Sequence, residues 1–199
     1  MAARGGAIYL SAERLASLSD TMFGVAMTLV VGTLLPSIQT AKGPVLGMLP
    51  EIGGELVTLV LSFTIAARYW ISQHQRLAMS GVVTPLQTWL HLAFLFLIVL
   101  IPISTSLPNL SGAAAARDSV AIYGAHLLLI ALVNLLLWIG VHRTTAAHGQ
   151  IVRASLAVGM LLVALGVGAW RPSLAMYAWF ATMASGRAGP AITRWVYGR

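Results

Sequence analysis

Residues 14–35 read RLASLSDTMFGVAMTLVVGTLL, and this stretch decides the fold. Beyond Arg14 it holds a single charge, Asp20, in a run of roughly 20 residues, the length an α-helix needs to cross a hydrocarbon core. A carboxylate inside such a run costs a few kcal/mol on insertion scales, so it needs a partner or a water-filled path. Arg14 lies six residues back, about 120° away around a helix, and cannot share a face with Asp20. The partner of Asp20 must come from another helix.

The rest of the chain repeats the pattern. Of its 199 residues 58% are apolar and 9% charged, against about 25% charged in a soluble domain, so an all-α integral membrane protein is expected. Charges and Pro/Gly clusters divide it into six spans, about 15–35, 52–73, 86–107, 118–141, 151–169 and 173–186, the last short and only moderately apolar. Connections are read at Pro36 to Pro50, Gly81 to Pro85, Pro108 to Gly112, His142 to Gly149 and Arg171–Pro172. This leaves one six-helix transmembrane domain over 1–199, with no room for a separate soluble one. Residues 1–14 are too polar for a signal sequence, and Ser11 is placed to cap the first helix.

The absence of cysteine excludes a disulfide framework, a thiol nucleophile and a Cys-ligated metal. A net charge of +7 would suggest nucleic acid in a soluble chain, but here it reads as topology, and no nucleic-acid partner is expected. Under six spans, Arg4, Arg14, Arg68, Arg76, Arg143, Arg153, Arg187, Arg194 and Arg199 share one side, against Lys42, Arg117 and Arg171 on the other. The positive-inside rule then puts both termini in the cytoplasm, in a multi-pass protein of the cell membrane surrounded by lipid. The polar residues of the first span have no counterparts in spans four to six, which leaves an inverted-repeat transporter plan unsupported.

Depth selects companions for Asp20. The second span runs inward and ends with Trp70, His74 and Arg76, and the third starts just inward of His91. Trp70 and His74 are four apart, on one helix face, and both indole and imidazole N–H groups can donate to a carboxylate. The plainer alternative leaves Ser19 and Asp20 wetted by the headgroup region. His126 and Asn134 read as interhelical hydrogen-bond partners. Along the first helix, Arg14, Leu18, Thr21, Val25, Thr28 and Gly32 recur at spacings of four and three, one continuous stripe bordered by Leu29. Such a stripe serves either as ordinary packing, with Thr28 and Gly32 allowing close approach, or as the lining of an axial pore in which Val25 and Leu29 rings gate by dewetting.

These residues resemble the bacterial transmembrane protein 175 family, single-repeat relatives of the lysosomal potassium channel. The family's first-span motif is Arg, three residues, then Phe-Ser-Asp; here it stands as Arg14, three residues, Leu18-Ser19-Asp20. The likeness continues through Tyr69-Trp70 leading to His74, the third span ending Ile101-Pro102-Ile103-Ser104-Thr105, and Asn134-Leu135-Leu136-Leu137-Trp138 in the fourth, while the last two spans match only in hydropathy. The resemblance implies a homotetramer of six-helix subunits whose first helices line the pore, with no carbonyl-lined filter. It implies the narrowest ring at Val25, a Thr layer at Thr28 and further layers at Leu29 and Gly32. It also implies that Arg14, Ser19, Asp20, Trp70 and His74 brace the pore helix. Departures are Leu18 for Phe, His four rather than three residues after the Trp, the small Val25 and the side-chain-free Gly32, which point to a wider, less selective opening.

The leading expectation is therefore a potassium-preferring cation channel with no catalytic residues and no cofactor, its ligands being permeant potassium and other monovalent cations. The alternative is a small-solute or proton-coupled transporter using Asp20, and a third class is a bundle-core haem held by His74 and His91.

Overall fold

Breakers and caps turn the apolar runs into separate helices, and the computed structural model describes them over residues 11–40, 45–80, 83–107, 113–141, 145–171 and 174. Helix α1 spans Ala12–Gly32, α2 Leu35–Thr40, α3 Val45–Met79, α4 Pro85–Val99, α5 Ile101–Ser106, α6 Ala113–Ile139 and α7 Thr145–Trp170. The described residues contain five helical stretches long and apolar enough to cross a membrane: Ala12–Gln39, Ile52–Met79, Pro85–Ser106, Arg117–Ile139 and Ala147–Trp170. They coincide with the first five spans expected from the sequence. The sixth, 173–186, lies outside the described residues except for Leu174.

Local chemistry accounts for the helix ends. Ser11 caps α1 as expected, its hydroxyl accepting from the Arg14 backbone N–H at 3.3 Å. At α4, Thr84 and Gln87 form a capping box ahead of Pro85, so the first-turn donors are met reciprocally. The stretch from Pro36 to Pro50, expected to be a connection, is instead largely helical: α2 carries Pro36 in its first turn, and α3 starts at Val45. Proline is best tolerated near a helix start, where the first N–H groups have no intrahelical acceptor. The third span breaks at Leu100, because Pro102 has no N–H to offer Ile98 and its ring crowds that carbonyl, so α4 stops and α5 restarts.

The helices alternate up and down. The start of α1 meets the end of α3, the start of α4 meets the end of α6, and α6 lies along α7. Phe23, Ala26 and Val30 of α1 share a buried core with Leu61 and Ala66 of α3, Phe94 and Ile98 of α4, and Tyr123 and Leu127 of α6. Phe94 is the hub: Phe23 lies 6.2 Å from it, Tyr69 meets it edge-on at 5.9 Å, and the Arg76 guanidinium stacks over it at 5.5 Å. Arg117 of α6 donates to the Ala169 carbonyl at the far end of α7, closing that pair.

Candidate functional site

Helix α1 has two chemically distinct faces. Leu15, Ser19, Phe23, Ala26 and Val30 are buried against the rest of the chain. Opposite them, Leu18, Thr21, Val25, Thr28 and Leu29 are exposed, Val25 at 49% and Leu29 at 52%. Gly32 is half-buried, and a Cβ added there, or at Gly24, would meet no atom within 4 Å. Among the described residues, then, no neighbouring atom comes close enough to Gly32 to need the absence of its side chain. Both hydroxyls on the face turn back on their own helix, Thr21 donating to the Ser17 carbonyl at 3.2 Å and Thr28 to the Gly24 carbonyl at 2.8 Å.

Asp20 sits at the border of the two faces. The Trp70 indole N–H donates to its Oδ1 at 2.8 Å, and His74 Nε2 stands 3.6 Å from the same oxygen. The Trp70 and His74 rings lie 4.7 Å apart, so successive turns of α3 present two N–H-bearing rings to one carboxylate. The structure brings these three of the five bracing candidates together. Ser19 and Arg14 stand apart from them. Ser19 is turned 100° from Asp20 and is fully buried; it donates to the Leu15 carbonyl at 2.6 Å and meets His91 Nε2 of α4 at 3.0 Å. Arg14, about 120° from Asp20, is exposed at the helix start and makes no ion pair among the described residues. His91 is thus engaged with α1, and the described residues hold no cluster of three or more His, Asp or Glu fit for a metal.

Two further polar networks tie α3 to its neighbours. Asn134 Oδ1 of α6 accepts from Arg76 at 3.0 Å and Ser72 at 3.3 Å, while the Trp138 indole N–H donates to Ser72 at 2.9 Å. Ser72 and Arg76 are four apart on α3, as Asn134 and Trp138 are on α6, so two i, i+4 pairs face each other. That matched spacing was the available signal for the network. Nearer the other end, the Ser62 hydroxyl lies 2.9 Å from the Tyr123 hydroxyl and 2.7 Å from that of Thr105, all three buried. His126 bridges α6 to the α4–α5 break, with Nε2 3.0 Å from the Leu97 carbonyl and Nδ1 2.8 Å from Ser104 Oγ. A carbonyl can only accept, so Nε2 carries the proton.

Comparison with known proteins bears on this stretch of the chain. Residues 14–102 match the family model of the endosomal/lysosomal potassium channel TMEM175. No curated protein and no solved structure matches the chain. The matched stretch runs from Arg14 to the Pro102 break and contains the whole α1 face, the Asp20–Trp70–His74 cluster and the Ser19–His91 contact. Over residues 14–102, somewhat under half of its length, the chain is thus similar to the TMEM175 family, which is described as a potassium channel.

Proposed function

We infer that this multi-pass membrane protein is a potassium-preferring cation channel, a homotetramer of one six-helix domain per subunit with the sixth helix in 173–186. Both termini are cytoplasmic and the protein resides in the cell membrane. Four copies of α1 surround the axis, with Leu18, Thr21, Val25, Thr28 and Gly32 toward it and the Val25 and Leu29 rings forming the constriction. Such rings gate by dewetting and discriminate by the cost of stripping water from the ion, without a carbonyl-lined filter. Asp20, Trp70 and His74 brace α1 against α3, Ser19 braces it against α4, and Arg14 lies at the cytoplasmic mouth.

The observation that carries this reading is the division of α1 into a buried face and an exposed one bearing Thr21, Val25, Thr28 and Leu29. A helix that turned this face to lipid would also offer it Ser17 and Thr21, with Asp20 at its border, all exposed in the N-terminal half of α1. Facing copies of itself, the same surface lines a partly wetted path. The direct test is a reversal potential in a planar bilayer with potassium opposed by sodium, together with a detergent-corrected mass. A reversal displaced toward the potassium equilibrium and a mass of four subunits are expected. A reversal near zero, or a one-subunit mass, would overturn the reading.

A further inference from the structure

Four polar side chains from three helices are buried in one layer where α1, α3 and α4 meet. Ser19 and Gln73 are fully buried, and Arg76 and His91 are each 2% exposed. On α1, Ser19 lies four residues after Leu15 and four before Phe23; on α3, Gln73 lies four after Tyr69 and four before Leu77. Leu15 packs with Leu77 and Val83 on one side of this layer, while Phe23 and Tyr69 both meet Phe94 on the other. Arg76, three residues from Gln73 on the same face of α3, stacks over Phe94 as well, and the His91 ring lies 6.4 Å from it. Apolar side chains thus bracket the layer, and all four polar residues fall within the stretches long enough to cross a membrane.

Among the described residues, the hydrogen-bonding capacity of this layer is only partly met. Oε1 and Nε2 of Gln73 are both buried with no hydrogen-bond partner there, and so is one nitrogen of Arg76, Nη2, although Nη1 donates to Asn134. Ser19 gives its one hydroxyl proton to the Leu15 carbonyl and so accepts from His91 Nε2, which in the neutral ring leaves Nδ1 as an acceptor. A buried amide left without partners is costly, and a buried guanidinium N–H more so. The unmet groups are of both kinds: Gln73 Nε2 and Arg76 Nη2 donate, whereas Gln73 Oε1 and His91 Nδ1 accept. An anion would answer only the N–H groups, and a cation only the acceptors, beside a guanidinium that keeps its charge. Water both donates and accepts, and a buried water makes about three hydrogen bonds to such groups.

We propose that the Gln73–Arg76 face of α3 holds bound water at its junction with α1 and α4, with Gln73 Nε2 and Arg76 Nη2 donating to it and Gln73 Oε1 accepting from it. His91 Nδ1 is the acceptor through which this water reaches α4, so the ring that holds Ser19 is itself tied to α3. The site belongs to the interior of a single chain. It stands whether or not α1 lines an ion path.

The test uses the full chain in detergent under a synchrotron X-ray pulse, which makes hydroxyl radicals from water where it stands, with labelled side chains read by mass spectrometry. Phe94 is fully buried, so only water bound beside it labels it, whereas Trp89, 72% exposed, reports labelling from bulk water. Phe94 is expected to be labelled. Gln73→Met keeps the length of the side chain and removes the amide; it should cut the labelling of Phe94 about threefold or more and lower Tm. An unlabelled Phe94 in the wild-type chain would overturn the site. So would a raised Tm in Gln73→Met, the result of taking an unsatisfied amide out of a dry core. A wild-type Tm that rises when chloride replaces gluconate, with the gain lost in Gln73→Met, would assign the layer to an anion and overturn the water site as well. If Gln73→Met does not fold, the wild-type labelling of Phe94 decides on its own.

Discussion

Asp20 illustrates how one side chain sets requirements for several others. Its carboxylate is tolerable in an apolar helix because Trp70 donates to it and His74 stands beside it. Replacing Trp70 with Phe keeps the ring and removes the donor. The carboxylate is half exposed, which moderates the loss, so thermal melting should show destabilisation of about 1 kcal/mol. At Val25 the polar change Val25→Asn should wet the proposed constriction and raise single-channel conductance, and an unchanged conductance would remove Val25 from the gate. The Asp20 cluster was legible in the sequence because a lone buried charge demands a donor, and depth plus i, i+4 spacing leave few candidates. The Ser19–His91 contact was not. A helical serine is usually satisfied by the carbonyl four residues back, as Ser19 also is, so nothing in its spacing names a second partner.

For the elements, hydropathy located the five described spans, since about 20 apolar residues leave little freedom in register. What it could not convey is the interior of the third one. Pro102 signals a break, but which side chain answers the disturbed carbonyls depends on a helix that follows later in the chain. That side chain is His126, which donates to the Leu97 carbonyl and meets Ser104 across the break. His126→Leu should leave the carbonyl without that donor and lower stability by about 1–3 kcal/mol in thermal melting, whereas Leu129→Ala, at an exposed position of the same helix, should cost much less. The helical start of α3 was missed for a related reason. Pro50 and Gly47 read as breakers by composition, yet Gly47 lies in the first turn of α3 and Pro50 just beyond it, so the helix forgoes a single backbone hydrogen bond at Pro50 and continues.

In the whole molecule, a symmetry axis has no signature in one chain beyond an outward face that lacks a reason to be polar. Gly32 offers a test that separates subunit from assembly. A side chain there meets open space, so Gly32→Leu should change the melting temperature little while adding an apolar layer and reducing conductance; full conductance would place this face away from the ion path. The contacts of Ser19 and Asp20 carry one more implication. The two are neighbours in sequence, yet one is tied to α4 and the other to α3. A shaft keyed at two points 100° apart cannot spin. By helical geometry Val25 lies about 140° from Asp20 and about 120° from Ser19, nearly diametric to the pair. The azimuth of Val25 is thus dictated by Trp70, His74 and His91, and a substitution at any of those rings would re-aim a residue that none of them touches.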